Sequence, residues 1–226
     1  MNDFALLLLY QIKYDEANPI FEQTLALREK VLGKKHPDTL TSMSNLSLLL
    51  MRQGKYKEAE SIYERTLALR EKVLGKEHPD TILSMNNLGG VICRQKRYIE
   101  AEPLFRQTLT HRKAISGEEH PNTLTCMNNL ALVLKNQRKY DEAESIYRQT
   151  LTLRERVSGR EHPDTPTSMN NLAGLYQFQG KTDETKSLFQ KTLALRETVL
   201  GKEHPDTLTT VKDLATLIPT QSQSSG

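Results

Sequence analysis

One short motif returns at a constant interval and limits what this chain can fold into. The motif opens with His-Pro, and its histidines, His36, His78, His120, His162 and His204, follow one another at intervals of 42 residues. The interval never drifts, so no insertion or deletion separates the copies. A fixed period of this size is typical of a repeat array, in which each repeat contacts its neighbours. The sequence therefore predicts a single array over residues 1–218 with about five repeats and a partial unit at each end.

Each repeat has the apolar spacing of two helices. In the third full copy, helix A is expected from about Pro121 to about Gln137, with one apolar face made of Met127, Leu130, Ala131 and Leu134. Helix B begins near Tyr140, where Asp141 and Glu144 have the spacing of a capping box. Applied to the whole chain, the register predicts an all-α fold of six A helices and five B helices. The expected architecture is a solenoid of antiparallel helix hairpins that forms a right-handed superhelix.

Charge and composition argue against several classes of partner. Lys and Arg number 31 against 28 Asp and Glu, and the two signs are interleaved along the chain. No clustered basic stripe of the kind that nucleic acid requires is present, so we expect no nucleic-acid partner. The apolar run from Phe4 to Leu9 is too short to span a membrane and falls in register with helix A. We therefore interpret it as part of a repeat and expect no membrane partner.

The cysteines and histidines predict no disulfide or metal site. Cys93 and Cys126 occupy different positions of the repeat, which favours free thiols in a cytoplasmic protein. Each repeated histidine lies in its own loop without a second ligand nearby, whereas zinc needs three or four converging ligands. There is also no glycine-rich phosphate loop and no Ser–His–Asp order. The sequence thus predicts no metal, no cofactor and no enzymatic activity.

These repeats resemble a known family. Leu172, Ala173 and Tyr176 in helix A, with Ala143 and Tyr147 in helix B, follow the pattern of the tetratricopeptide repeat. The usual period is about 34 residues, so the form seen here has a longer helix B and loop. With Asn-Asn-Leu-Ala, Tyr-x-Glu-Ala-Glu and Leu-Gly-x-x-His-Pro-Asp, it looks like the repeats of kinesin light chains. Similar arrays occur in NOD-like receptor proteins of fungi and bacteria.

The resemblance implies that helix A lines a concave surface that binds other proteins. The residues expected on that surface are Asn45, Arg52, Asn86, Asn87, Arg94, Asn128, Asn129, Leu132, Lys135, Asn170, Asn171 and Lys212. Asparagine side chains both donate and accept hydrogen bonds, so a row of them can pair with the backbone of an extended peptide. The cations suit acidic side chains. Some of the asparagines could instead bond between neighbouring helices and only shape the array.

We therefore expect an interaction scaffold that binds an extended, acidic peptide segment on its concave face. The alternative is a structural or self-associating arm of a larger NOD-like receptor, without a groove ligand of its own. Phe4 begins a half unit and Ile218 ends one, so both ends should expose faces that favour self-association. Residues 219–226 are polar and are expected to be a disordered tail.

Overall fold

The computed structural model of the protein describes residues 2–217, and all the regular structure in that range is helical. The backbone groups into two compact units, Met1–Ile115 and Ser116–Gly226. The helices of the first are α1 (Asn2–Tyr10), α2 (Tyr14–Val31), α3 (Pro37–Arg52), α4 (Tyr56–Leu74), α5 (Pro79–Arg94) and α6 (Tyr98–Ser116). Those of the second are α7 (Pro121–Asn136), α8 (Tyr140–Val157), α9 (Asp164–Phe178), α10 (Thr182–Val199) and α11 (Pro205–Ala215).

The prediction of an all-α fold with eleven helices is confirmed for residues 2–217. Odd-numbered helices are A helices and even-numbered helices are B helices. In unit 1, α1 packs on α2, α2 on α3, α3 on α4 and α4 on α5; in unit 2, consecutive helices pack from α7 to α11. Three-residue loops such as 53–55 turn the chain back, so each A helix from α1 to α9 forms a hairpin with the B helix that follows. The predicted tail, 219–226, lies outside the described residues.

The repeated histidines cap the helices that follow them. The Nδ1 atom of each imidazole accepts a hydrogen bond from the backbone N–H two residues later, for example from Asp80 to His78 at 3.2 Å. The same bond recurs at His36, His120, His162 and His204. Pro follows each histidine; it occupies the first turn of α3, α5, α7 and α11, where the missing N–H costs no helical hydrogen bond, and it directly precedes α9. The histidines therefore have a structural role at the loops, as the sequence indicated.

A buried arginine near the end of helix B binds the start of the next A helix. Arg154 Nη1 donates to the backbone oxygen of Asp164 at 2.8 Å and to Ser168 Oγ at 3.0 Å. Arg28, Arg70 and Arg196 make the same pair of bonds at their own repeat positions. Burial lowers the pKa of Arg154, and the charge of Asp164 partly opposes this shift. The bonds fix helix B to the next repeat within each unit.

The capping box expected at the start of helix B is wrong. Helix α8 begins after Lys139, and no side chain caps it. Glu144 instead accepts hydrogen bonds from the next repeat, from Lys181 Nζ at 3.0 Å and from Gln179 Nε2 at 3.3 Å. The carboxylate therefore bonds to its neighbour and not to the start of its own helix. We call this set of hydrogen bonds, from a helix B glutamate to residues of the next repeat, an inter-repeat clasp. Glu60 makes a similar clasp in unit 1.

Candidate functional site

The predicted binding residues lie on one side of the A helices, which we call the A face. In unit 1 the A face consists of Asn45 and Arg52 on α3 and Asn86, Asn87 and Arg94 on α5. In unit 2 it consists of Asn128, Asn129, Leu132 and Lys135 on α7, Asn170 and Asn171 on α9, and Lys212 on α11. The residues of the A face thus divide between the two units.

The cations of unit 1 are open to solvent. Arg52 and Arg94 are exposed in the last turns of α3 and α5, and neither makes a hydrogen bond or ion pair among residues 2–217. The negative end of the helix dipole favours a cation at this position. Cys93 precedes Arg94 and is half-buried; burial raises the pKa of its thiol to about 11, and the charge of Arg94 acts in the other direction. The two guanidinium groups are therefore available to an acidic ligand.

Several asparagines bond from one A helix to the next. In unit 1, Asn45 Nδ2 donates to Asn2 Oδ1 at 3.1 Å, which joins α3 to α1. In unit 2, Asn128 is 7% exposed and its Nδ2 donates to Ser168 Oγ at 3.2 Å, which joins α7 to α9. These asparagines set the spacing between neighbouring A helices, which is the structural role that the sequence left open.

Asn170 makes longer contacts of the same kind. Its Nδ2 lies 3.5 Å from Asp213 Oδ2, and its Oδ1 accepts from Thr210 Oγ1 at 3.5 Å, both on α11. Asn86 and Asn129 also have partners within the chain. Asn87 and Asn171 differ from the others, because these two half-buried side chains form no hydrogen bond among residues 2–217. Both amides keep their donors and acceptors for a ligand.

The A face of unit 2 has an apolar centre with a cation beside it. Lys135 Nζ lies 4.8 Å from the centroid of the Phe178 ring, a cation–π contact between α7 and α9. Burial lowers the pKa of Lys135. Leu132 is 40% exposed one turn before Lys135, and Phe178 is 61% exposed. Lys212 stands exposed on α11.

The inter-repeat clasps lie at the ends of the A helices in both units. In unit 1, Glu60 accepts from Arg97 Nη1 at 2.7 Å and from Gln95 Nε2 at 2.6 Å. In unit 2, Glu144 is bound by Lys181, Gln179 and Arg148. Burial alone would raise the pKa of Glu144, but its hydrogen bonds from Lys181 and Gln179 and the nearby charges hold that pKa below the ordinary value.

A tyrosine completes the clasp of unit 2. Tyr176 Oη accepts from Arg148 Nη2 at 2.8 Å, and Lys181 Nζ lies 4.9 Å from the centroid of its ring. The polar and charged groups of the clasp are thus bonded to one another. We assign them to stability and not to ligand binding.

Sequence reasoning missed Phe178 and the clasp residues Gln95 and Gln179. Phe178 stands at the repeat position of Arg52 and Arg94, so alignment of the repeats could have drawn attention to it. The clasp recurs at Glu60 and Glu144, and the recurring glutamate was the available signal. Within residues 2–217 no three His, Cys, Asp or Glu side chains group as metal ligands. The helices of this range are also too short or too polar to cross a bilayer.

Solved structures with similar folds include a kinesin light chain-like protein. A putative kinesin light chain of Podosopora anserina with nearly identical TPR-like repeats is 25% identical over 88% of this chain and 94% of that one, with a TM-score of 0.76. BtubC (BKLC) from P. vanneervenii is 25% identical over 92% of this chain and 82% of that one, with a TM-score of 0.72. MamA of Desulfovibrio magneticus RS-1 has a TM-score of 0.59 at 14% identity, a likeness of fold alone. No curated protein sequence matches the chain.

Family comparison leads to the same architecture. One sequence model described as Tetratricopeptide repeat matches residues 1–72, 44–91, 80–156 and 128–184. A second model with the same description matches residues 167–206. Together they cover most of the chain, in agreement with the helix hairpins and with the small and aromatic residues that recur in them. The chain belongs to the tetratricopeptide repeat family.

Proposed function

We propose that this protein is an interaction scaffold whose A faces hold an extended, acidic segment of a partner protein. Tetratricopeptide repeats generally mediate protein–protein interaction and are typically non-enzymatic, and the proposal adds the surface and the ligand chemistry. The observation that carries it is the pair of exposed, unpartnered guanidinium groups of Arg52 and Arg94. Carboxylates are the groups that such donors bind best.

The A face of each unit has one asparagine without a partner among residues 2–217, Asn87 or Asn171, and these side chains support the proposal that the ligand is an extended peptide. Asn87 lies seven residues before Arg94 on α5, which is two helical turns. An amide that lacks an internal partner can both donate to and accept from a peptide group. In unit 2, Asn171 offers the same chemistry, and Leu132 and Phe178 add apolar contact. A peptide on either A face would thus meet backbone-binding amides and a cation.

A short peptide of Asp and Glu residues, labelled with a fluorophore, tests the proposal by anisotropy. Its matched control is the analogue in which Asn and Gln replace the acids. We expect the acidic peptide to bind and the amide analogue to bind at least about tenfold more weakly, since charge-assisted hydrogen bonds are about twice as strong as neutral ones. Added salt should weaken the acidic peptide selectively, because salt screens exposed charges.

Matched variants test which surface of the protein the peptide binds. Arg52→Gln and Arg94→Gln should each weaken binding about fivefold, the loss expected for one exposed ion pair of about 1 kcal/mol. Lys57→Gln on α4 removes an exposed cation outside the A face and should change nothing. Equal loss in all three variants would mean that the peptide responds to net charge and not to the A face.

We also propose that the scaffold works in the cytoplasm. Neither Cys93 nor Cys126 forms a disulfide, and reduced thiols are typical of a reducing compartment. Fractionation of cells that express the tagged chain, with a cytoplasmic enzyme as marker, tests this. Recovery of the chain in a secreted or organellar fraction would contradict it.

A further inference from the structure

A groove between α10 and α11 is large enough for side chains from another helix. It encloses about 470 Å³ and is lined by Leu193, Val211, Leu214, Ala215 and Leu217. Lys186 and Gln190 form its polar rim on α10. Val211 and Ala215 are exposed on its floor. The groove lies within unit 2, and no asparagine of the A face lines it.

The repeat register indicates what such a groove accepts. The residues 42 positions earlier, on α9, are Met169, Leu172, Ala173 and Leu175, and all four are buried. Helix α10 packs on α9 there. The apolar floor of α11 is therefore the counterpart of a surface that a neighbouring helix covers elsewhere in unit 2. An apolar helix is the ligand that this surface fits.

A contact in unit 1 identifies the side chain that belongs on the floor. Gly89 of α5 occupies the register of Ala215, and a Cβ atom placed on Gly89 would lie 3.0 Å from the ring of Phe105 on α6. A small residue at this position thus receives an aromatic ring from the helix packed on it. Ala215 is exposed, so the groove still has room for a ring.

Helix α1 has the residues to fill this groove. Its inner side, made of Ala5, Leu8 and Leu9, is buried in its own unit. Its outer side presents Phe4, Leu7 and Tyr10, which are 56%, 52% and 75% exposed. A helix that is apolar on all sides is normally buried. The nine residues of α1 span about 13 Å at 1.5 Å per residue, close to the length of α10 between Lys186 and Leu193.

The charges at the two surfaces are complementary. Asp3 is exposed in the first turn of α1, and Lys186 stands at the rim of the groove. We propose that the groove between α10 and α11 binds α1 of a second copy of this chain, with the Phe4 ring over Ala215. The contact joins two different surfaces, so every complex leaves one α1 and one groove free. Association is then head to tail and continues as concentration rises.

Sedimentation velocity over a range of protein concentrations tests the proposal on the whole chain. The wild-type weight-average mass should rise with concentration. Phe4→Glu and Ala215→Glu should each bring the mass close to that of a monomer, because each puts a charge into an apolar contact. Ile99→Glu is the matched control, since Ile99 is 79% exposed on α6 outside both surfaces. It should associate as the wild type does, and circular dichroism should show unchanged helix content in all three.

Mixing the two variants distinguishes this contact from a symmetric one. Phe4→Glu retains its groove and Ala215→Glu retains its α1, so an equimolar mixture should form heterodimers and nothing larger. Dimerisation of Phe4→Glu alone would overturn the proposal, because it would place the contact elsewhere. A wild type that stays monomeric at all concentrations, or a mixture that stays monomeric, would also overturn it.

A charge exchange gives a second readout that does not depend on the apolar variants. Asp3→Lys and Lys186→Glu should each weaken association by about threefold, as expected for a surface ion pair worth less than about 1 kcal/mol. The double variant should regain wild-type association. Equal association of the wild type, the two single variants and the double variant would contradict the proposed contact between Asp3 and Lys186.

Discussion

The A faces of the two units differ in chemistry at the repeat position that lies in the last turn of helix A. In unit 1 this position holds Arg52 and Arg94, both exposed and unpartnered. In unit 2 it holds Asn136, whose Nδ2 donates to the backbone of Leu132, and Phe178, which receives Lys135 on its ring. The core position of Leu88 in unit 1 and Leu130 in unit 2, by contrast, is identical and buried in both. The two units thus keep the same buried leucine in the core, whereas the side chains that their A faces offer to a ligand differ.

Both units keep the clasp between repeats, with different groups around the glutamate. Glu60 is bound by Gln95 and Arg97, whereas Glu144 is bound by Gln179 and Lys181 and lies beside Tyr176. The hydrogen-bond acceptor is the same, and a cation is present in each. We infer that the clasp is selected for stability in both units, and variants in the two units can show how far the likeness extends.

The largest effect should come from the shared core. Leu130→Ala in unit 2 and Leu88→Ala in unit 1 should each lower the free energy of unfolding by about 2–5 kcal/mol, the range for a buried leucine. Both side chains are buried, so their costs should be similar. Urea unfolding followed by circular dichroism measures the change. Ser145→Ala, at an exposed position of α8, is the control and should shift stability by less than about 0.5 kcal/mol.

The clasps should contribute less, and the contribution of Glu144 should depend on pH. Glu144→Gln should cost about 1–3 kcal/mol at neutral pH, because a nearly buried carboxylate loses charge-assisted partners. The folded-state pKa of Glu144 lies below its ordinary value of 4.5, so its contribution is complete above that pH. It is lost as the pH falls through the lower, folded-state pKa. The gap between wild type and Glu144→Gln should therefore close as the pH falls below 4.5, as measured by urea unfolding at several pH values.

Glu60→Gln in unit 1 gives the comparison for the clasp. If the two clasps are equivalent, its cost at neutral pH should fall in the same range. A cost near zero for Glu60→Gln, with a full cost for Glu144→Gln, would show that Tyr176 and its neighbours make the unit 2 clasp a different structure.

The smallest effect should come from the turn between helix A and helix B. Gly54 in unit 1 and Arg138 in unit 2 occupy the same repeat position, with φ of 78° and 63°. A side chain disfavours this left-handed region, so Arg138→Gly should raise stability by about 0.5–1 kcal/mol and Gly54→Ala should lower it by about as much. Thermal unfolding of the two variants measures both signs. A loss of stability in Arg138→Gly would mean that its side chain makes a contact that outweighs the backbone strain.

The sequence was enough to predict the helices and their buried faces. The 42-residue interval itself is constant, so spacing alone placed Leu130, Ala143 and Tyr147 in the core, where all three are buried. Capping was predicted less well, since the start of helix B was assigned a capping box that α8 lacks. Glutamate at that spacing fits either a local cap or a partner in the next repeat. Only the packed structure distinguishes them.

The candidate site was the least predictable part. Asn129 and Asn171 occupy the same repeat position, but Asn129 has a partner within the chain while Asn171 bonds to nothing among residues 2–217. Which asparagine meets a neighbour depends on side-chain geometry between repeats and not on its position in one helix. The contact between Lys135 and Phe178 also joins two neighbouring repeats, so the sequence of one helix could not predict it. The assignment of these residues to a peptide surface stays a prediction.

Transfer of a cation from unit 1 to unit 2 tests the central claim most directly. Asn136→Arg places in α7 the residue that Arg94 supplies in α5, and the labelled acidic peptide reports its effect by anisotropy. We predict that Asn136→Arg tightens binding of the acidic peptide about fivefold, that Arg94→Gln weakens it about fivefold, and that neither changes binding of the amide analogue. If both variants keep wild-type affinity while Lys57→Gln on α4 lowers it, the acidic segment binds outside the A face, which contradicts the proposed function.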